Sequence, residues 1–531
     1  MTFNWSWTKA LQKLGLTVLF LVILGPLLAL IIQMVPTFLA GHGDWLALAI
    51  PTGRRLFLLL NSLKFAAAVA IGGVVLGTLG GLILWRWDTG WRSYARWLVI
   101  LLAPIPPYIH ALAWNSSIFT VNSLFHQIGL SAIPFQGWIA GWWVQLMSLA
   151  PIAVGLALVG LKSVEPAMID SARVMRPDIY SLSRVALPLA APALLAGGGV
   201  LFLLSLIDYS VPSLFNLNVY SLEIFAEFSA TNEPVRALIL SFPLLVIAVA
   251  VALVCLAPLR NAASSPAWRA SAWKVKPAWP AWFSGLQWLA VAILLIQIGV
   301  PLLSLTANTG TWHNMATTVL SARSEISFTF WTDILVAALC IPIALASARE
   351  LVGSKRWEKF LWILVIAPLA IPPPLTGIGL IVIFNRPFFS GVYGSVWMPV
   401  LAGLARFAPL AVIVLVAQLR RINPLLIDAA RVLQTSRWQT WTRVWLPMLA
   451  PGLLAAAGIV FALTTGELGA TLLVAPPGHA TLTMRIYNFL HYGASDTVAG
   501  LCLMMAVLTL IAGTAAVLAL NRLSNHSIKS E

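Results

Sequence analysis

The stretch from Asn423 to Pro447, NPLLIDAARVLQTSRWQTWTRVWLP, is a polar and basic island in a chain that is otherwise strongly apolar. A second island, EPAMIDSARVMRPDIYSLSRVALP, runs from Glu165 to Pro188. Asp170 and Asp428 are 258 residues apart, and the prolines that close the two islands are 259 residues apart. A nearly constant offset over so long a chain indicates an internal duplication.

The composition of the chain is typical of a protein embedded in a lipid bilayer. Of its 531 residues, 60% are hydrophobic and only 9% are charged, whereas soluble domains carry about 25% charged residues. The net charge of +15 could suggest nucleic acid, but Lys and Arg also collect on the cytoplasmic loops of membrane proteins. Because no soluble stretch offers a basic face, we expect no nucleic-acid partner.

Apolar stretches of about 20 residues, the length of one helical crossing, occur twelve times. We interpret the first as a retained span, because it is longer than the apolar core of a signal peptide. The predicted fold class is therefore an all-α integral membrane protein with about twelve transmembrane helices. The predicted spans lie near 14–36, 57–84, 97–118, 137–161, 190–211, 236–258, 286–306, 327–348, 359–384, 396–418, 448–470 and 498–520.

A polar segment rich in Pro, Ala, Ser and Trp divides these spans into two groups of six. We predict a first repeat at 1–259, a cytoplasmic linker at 260–285 and a second repeat at 286–531. Both repeats have the same number of spans before their island, so they run parallel and should pack around a pseudo-twofold axis. Further pairs keep the offset: Leu149-Ala-Pro151 with Phe407-Ala-Pro409, and Asp208 with Glu467.

The distribution of basic residues predicts the orientation of the chain in the membrane. If the N-terminus is cytoplasmic, 24 of the 32 Lys and Arg residues fall in cytoplasmic segments. Such segments carry an excess of Lys and Arg in membrane proteins. We therefore expect both termini, the linker and both islands on the cytoplasmic side.

Each island has the sequence of a helix–turn–helix. Asn423 is a good N-cap and Pro424 a good first helical residue, and Pro166 and Pro177 take similar places in the first copy. We expect the second helix of the later copy to end before Leu446-Pro447. Taken alone, either island could be an ordinary interfacial helix pair, but two islands at matching places favour docking elements.

The islands resemble the EAA loop of binding-protein-dependent type I ABC importer permeases. The resemblance lies in Asp428-Ala429-Ala430-Arg431 through Leu446-Pro447, and in Asp170-Ser171-Ala172-Arg173 through Leu187-Pro188. It covers both halves and looks most like the fused permeases of the ferric-iron, thiamine and aminoalkylphosphonate group. Gly466-Glu-Leu-Gly-Ala-Thr-Leu-Leu473 is also similar to that group.

The chain departs from this family's pattern in three respects. Gln434 stands where the family usually has Gly, and Asp replaces the usual Glu in both loops. The first copy is one residue shorter, with Pro177 near its turn. We therefore expect the second loop to make the tighter contact.

The resemblance implies that two copies of an ABC ATPase subunit dock on the islands and that an extracytoplasmic substrate-binding protein delivers a small solute, with ferric iron as the first candidate. Thiamine, an aminoalkylphosphonate and other small solutes are alternatives. It also implies a bacterial plasma membrane. The sequence contains no GxxxxGK[ST] motif, paired-cysteine motif or nucleophile elbow. We thus predict a non-enzymatic channel subunit without a directly bound cofactor, whose ATP is used by the partner; a metal site cannot be assigned.

A charged residue within a predicted span indicates a functional or structural role, because a charge at the bilayer centre costs on the order of 2.5–3.5 kcal/mol. We predict that Asp208 and Glu467 face the translocation path, with Arg406 able to neutralise Glu467. The alternative is a structural ion pair. We expect Lys64 to reach the outer headgroups, and Asp333 to lie near the outer interface.

Proline clusters interrupt two corresponding spans, Pro106-Pro107 in the third and Pro372-Pro373 in the ninth. Broken helices at membrane depth are tolerated where they are buried or line a cavity, so we predict a path-lining role over simple kinks.

Two rival classes are a secondary transporter and a membrane-embedded enzyme. Few acids are available for the first, and no nucleophile or metal cluster is visible for the second.

Overall fold

The computed structural model describes residues 6–85, 105–263, 277–353, 358–422, 424–433, 436–492 and 495–528. Within these ranges every regular element is a helix, which confirms the all-α class. Ten helices are long and apolar enough to cross a membrane, or eleven if one bent pair counts as a span. The predicted third span, 97–118, lies partly outside the described residues.

The described part of the first half contains ten α-helices. They are α1 (Ser6–Leu39), α2 (Arg54–Leu84), α3 (Pro107–Gln127), α4 (Gly137–Lys162), α5 (Pro166–Met175), α6 (Asp178–Ser181), α7 (Leu187–Ile207), α8 (Ser210–Leu214), α9 (Tyr220–Thr231) and α10 (Pro234–Ala263). A 3₁₀ helix, Gly43–Ala49, precedes α2.

Thirteen further α-helices lie in the described residues of the second half. They are α11 (Ala281–Asn308), α12 (Trp312–Ser321), α13 (Arg323–Gly353), α14 (Glu358–Ile366), α15 (Pro373–Phe384), α16 (Ser390–Tyr393), α17 (Trp397–Arg421), α18 (Pro424–Leu433), α19 (Arg437–Thr440), α20 (Leu446–Thr465), α21 (Thr471–Val474), α22 (Leu482–Tyr492) and α23 (Ser495–Ile528). Short 3₁₀ helices lie at Ala367–Leu369 and Pro387–Phe389.

The two halves repeat the same helix packing. In the first half α2 packs against α4 and α7, α4 packs against α7, and α7 packs against α10. In the second half α13 makes the same contacts with α17 and α20, α17 packs against α20, and α20 packs against α23. The duplication read from the islands therefore extends to the helical core of each half.

The first helix of each half packs against the other half. Helix α1 lies against α13 and α15, and α11 lies against α3 and α2. The approach of α1 is close, because a Cβ atom at Gly379 of α15 would collide with the carbonyl group of Pro26. The helix bundle of each half therefore includes the first helix of the other half.

The predicted ninth span is not a straight helix. Residues Phe360–Leu369 and Pro373–Phe384 are bent by 104° at a short break. The break falls at the proline cluster, because proline has no N–H to donate and its ring clashes with the preceding turn.

Candidate docking loops and translocation seam

The first docking loop, residues 165–188, presents its acidic residue outward. Glu165 is the N-cap of α5 and Pro166 its first residue, as the sequence predicts. Ile169 is buried at 1% exposure, and it packs the inner face of the helix against the rest of the protein. Asp170 and Ser171 are exposed, and Ala172 is half-buried. The side of α5 that carries Asp170 is therefore open to a partner.

The end of the linker holds the inner side of this loop. The Arg173 guanidinium donates to Asp178 Oδ1 at 2.7 Å, and the backbone N–H of Ala278 donates to Asp178 Oδ2 at 2.6 Å. Trp279 and Trp85 pack against the same apolar cluster as Ile169. The first loop is thus tied to the segment that enters α11, a contact that the sequence did not reveal.

The second docking loop, residues 423–447, is more open. Asp428 and Ala429 on α18 are exposed, and Ala430 and Arg431 belong to the same helix. Gln434 and Asn423 lie outside the described residues. A groove of about 330 Å³ runs beside α18, and it is lined by Leu426, Ala429, Leu433, Arg443, Val444, Pro447 and Met448. Large apolar side chains around it are exposed, with Leu433 at 81% and Trp438 at 70%.

The predicted end of the second helix in each loop is wrong. Helix α6 continues through a π-helical turn, Leu182–Ala186, directly into α7, and α19 continues through Trp441–Trp445 into α20. The Leu-Pro pairs lie at the start of the membrane helices rather than after a stop. A wider turn accommodates the missing proline N–H and the crowded carbonyl four residues earlier. Each loop is therefore mechanically continuous with a membrane helix.

The far ends of these two helices carry the paired acids. Glu467 follows α20, its side chain is fully buried, and it forms an ion pair with Arg406 of α17. Its oxygens also accept from the backbone N–H groups of Ala470 at 3.0 Å and Thr471 at 2.9 Å, at the start of α21. The predicted pairing of Arg406 with Glu467 is confirmed, and the carboxylate also anchors a helix N-terminus.

Asp208 occupies the same place at the end of α7. Its Oδ1 accepts from the backbone N–H of Ser210 at 3.0 Å and from the Ser210 hydroxyl at 2.7 Å, so it caps α8 as Glu467 caps α21. The Gln145 side chain lies beside it. Among the described residues, Asp208 Oδ2 has no hydrogen-bond partner.

Asp333 and two tyrosines that the sequence did not single out join these acids. Asp333 is buried and accepts from the Thr465 hydroxyl at 2.7 Å; we had expected it near the outer interface. Tyr108 of the first half donates to Met505 Sδ at 2.9 Å in the second half and lies within electrostatic range of Glu467 and Asp333. No spacing or charge pattern marks such a tyrosine in the sequence.

Tyr209 completes the group, because it is buried at 2% exposure and lies within electrostatic range of Glu467, Asp208 and Arg406. We call this group the seam cluster. Its members are Tyr108, Asp208, Tyr209, Asp333, Arg406 and Glu467. In the part of the chain that the structure describes, no three His, Cys, Asp or Glu side chains are placed to hold a metal ion. Lys64, the remaining charge singled out, is exposed.

The proline clusters lie against the turn that carries Glu467. A Cβ atom at Gly466 would lie 2.7 Å from Pro106 Cγ, across the two halves. A Cβ atom at Gly469 would lie 2.5 Å from Pro373 Cβ. Pro107 opens α3, and Pro372 is the N-cap of α15. The structure thus brings Pro106, Pro373 and Glu467 to one place where the halves meet.

A duplicated bundle of apolar helices, with a polar seam between its halves and two exposed loops at matching positions, defines a multi-pass membrane permease. The description "binding-protein-dependent transport system inner membrane component" applies to a family whose profile matches residues 340–529. The chain belongs to this family. It is an inner-membrane permease of an ABC importer for small solutes.

Three relatives illustrate the family. A molybdenum transport system permease of Haemophilus influenzae is 32% identical over 207 residues, which cover 36% of this chain and 87% of the relative. An Fe(3+)-transport system permease of the same organism is 22% identical over 448 residues, 82% of this chain and 84% of the relative. A putative 2-aminoethylphosphonate permease of Salmonella typhimurium is 29% identical over 200 residues, covering 38% and 73%. The long iron-permease match extends over both halves.

Proposed function

We propose that two ATPase subunits dock on the loops at 165–188 and 423–447 from the cytoplasm and drive a solute between the two halves. The single observation that carries this proposal is the pair of exposed loops, each continuous with a membrane helix that ends at the seam. The absence of a GxxxxGK[ST] motif from the sequence requires ATP hydrolysis to come from a partner. Both termini are then cytoplasmic, and a substrate-binding protein delivers the solute from outside.

A continuous helix connects each docking loop to the seam between the two halves. From Asp178 to Ile207 the chain forms one helical rod of 30 residues, roughly 45 Å long at 1.5 Å per residue. Asp208 follows at its end. The matching rod runs from Trp438 to Thr465 and ends two residues before Glu467. When closure of the ATPase pair tilts the loops, the two acid-bearing turns move relative to one another and open or close the seam.

A charge on the exposed apolar surface of the second loop tests the docking. Leu433 is 81% exposed, so Leu433→Asp leaves the permease folded but places a carboxylate in a contact that would have to bury it. We expect the ATPase subunit no longer to co-purify with the variant. Phe388→Asp is the matched control, because Phe388 is 89% exposed on a different loop. Full ATPase recovery and ATP-dependent uptake with Leu433→Asp would contradict the proposal.

For the solute we propose ferric iron, because the relative that matches both halves is an Fe(3+)-transport permease. Thiamine and 2-aminoethylphosphonate are the alternatives, the latter supported by the phosphonate permease relative. In an importer of this kind the binding protein selects the solute, so the retained ligand of that protein identifies it. A secondary transporter is the less favoured class, and co-purification of an ATPase separates it from an importer.

A further inference from the structure

Helix α5 of the first docking loop is held from its inner side. Ile169 is the one buried residue among the ten of this helix. Beyond the end of the helix, Asp178 Oδ1 accepts from the Arg173 guanidinium at 2.7 Å. The direction in which α5 presents its exposed side therefore depends on what keeps Ile169 and Asp178 in place.

The end of the linker contacts both of these residues. The backbone N–H of Ala278 donates to Asp178 Oδ2 at 2.6 Å. Phe283, in the first turn of α11, belongs to the same buried cluster as Ile169, and Trp279 packs against that cluster. The Trp279 and Phe283 rings themselves meet edge to face, with centroids 5.3 Å apart. We call residues 277–283 the linker strap, because they join the first loop to α11.

The second docking loop is positioned by other residues. At the positions of Asp178 and Ala186 it has Arg437 and Trp445. An arginine has no acceptor atom for a backbone N–H. The Trp445 ring instead lies under the Arg349 guanidinium, 5.6 Å from the ring centroid, so the second loop contacts α13 of its own half through its own side chain. The two loops are thus held by different parts of the chain.

The exposed sides of the two loops are nevertheless closely matched. Helices α5 and α18 both have ten residues and begin at a proline. Val174 and Val432 are 258 residues apart and are 86% and 85% exposed, and Met175 and Leu433 form a second exposed pair. The loops therefore offer a partner the same kind of apolar contact, and they differ on the side that faces the protein.

We propose that the linker strap positions the first loop for its ATPase contact, and that the contact at the second loop does not depend on the strap. A loop that is fixed in its bound orientation before docking loses less conformational freedom when the partner binds. This inference rests on the proposed function, in which ATPase subunits dock on both loops. It gives the segment between the repeats a role at one of the two docking sites.

The test reports each docking site separately in the full importer. Val174→Cys marks the first loop and Val432→Cys marks the second. The three native cysteines are buried, so a maleimide carrying a benzophenone group should react with the introduced thiol. Illumination then crosslinks the marked loop to whatever subunit lies against it, and the measured quantity is the yield of ATPase crosslinked to the permease.

Two substitutions loosen the strap and leave every loop residue native. Ala278→Pro removes the N–H that reaches Asp178, and Trp279→Ala removes the aromatic packing. Because a hydrogen bond to a charged group is lost, we expect Ala278→Pro to lower the yield at position 174 about tenfold. Trp279→Ala should lower the same yield, and neither substitution should change the yield at position 432.

The matched control is Ala281→Pro. It adds a proline to the same segment at the first residue of α11, where proline is tolerated, so it should change neither yield. An unchanged yield at position 174 with both strap variants, or an equal fall at both positions, would overturn the proposal. No crosslinked ATPase at either position with the native strap would contradict the proposed function instead.

Discussion

Glu467 holds two segments of the second half together while lying at the junction of both halves. It pairs with Arg406 and accepts from two backbone N–H groups of the following turn. The two roles considered from the sequence, a path residue and a structural ion pair, are therefore compatible, because the pair is placed where the halves meet. Asp208 differs in having no basic partner in the described part of the chain, so the duplication is not chemically symmetric.

Replacing Glu467 by Gln should destabilise the protein strongly. The amide keeps an acceptor oxygen for only one of the two backbone N–H groups, and it leaves Arg406, only 22% exposed, without a counter-charge. Breaking a buried pair in this way costs about 3–5 kcal/mol. Chemical unfolding of the purified protein in detergent measures the loss.

The control for that substitution is Glu223→Gln. Its partner, Arg54, is 67% exposed, and exposed pairs contribute about 0–1 kcal/mol. Equal losses from Glu467→Gln and Glu223→Gln would show that the buried pair contributes no more than the exposed one.

At the scale of elements, the two docking loops are built alike and secured differently. Both loops feed through a π-helical turn into a membrane helix. The linker end secures the inner side of the first, through Asp178 and Ala278. At the position of Asp178 the second loop has Arg437, which cannot accept the same bonds. The asymmetry expected between the loops thus has a structural counterpart, although which loop docks more tightly stays a prediction.

Removing the Asp178 carboxylate should free the end of the linker. Asp178→Ala removes the acceptor for both the Arg173 guanidinium and the Ala278 N–H. A hydrogen bond to a charged group contributes about 1.5–3 kcal/mol, so the released population should rise roughly ten- to hundredfold. The rate of trypsin cleavage after Lys274, which is followed by Val275 and not by a proline, measures this. Asp170 is an exposed acid of the same loop, so Asp170→Ala should leave the cleavage rate unchanged. An equal rise with Asp170→Ala would contradict the role given to Asp178 in holding the linker end.

At the scale of the whole molecule, the exchanged first helices bind the halves to each other. Helix α1 packs against α13 and α15, and α11 packs against α3 and α2. Apolar clusters join the two halves, and one of them connects Leu30 and Leu58 of the first half to Ile378 of the second. The linker therefore is not what keeps the halves together.

Two chains split within the linker should still assemble. With a break between residues 270 and 271, each chain keeps its exchanged helix, and we expect the two to co-purify from detergent. A first chain that begins at residue 40 lacks α1 and should lose most of the association, because α1 carries a large part of the contact. Independent migration of the two intact chains would contradict this account.

Two kinds of feature could be predicted best from the sequence. They are structures set by a few neighbouring residues, and polar or charged residues in an otherwise apolar chain. The islands, their opening prolines at Pro166 and Pro424, and the helix break at the Pro372-Pro373 cluster follow from polarity and backbone chemistry. The partnership of Arg406 with Glu467 could be inferred because charges in apolar spans must be compensated. The continuation through Leu446-Pro447 was missed, because proline usually marks a helix start or stop and a π-helical turn has no sequence signature.

By itself, the sequence determined an all-helical membrane protein with two repeats and two polar loops, because hydropathy, charge and proline act over a few residues. The permease class followed from the resemblance of those loops to a known family. Only the tertiary structure decided which helices meet. An apolar helix is equally compatible with lipid and with any neighbouring helix, so the exchange of α1 and α11 leaves no trace in composition. For the same reason the assembly of Tyr108, Asp208, Tyr209 and Asp333 with Glu467 could not be predicted: apart from the neighbours Asp208 and Tyr209, these residues lie 100 or more positions apart, and only tertiary packing brings them near one another.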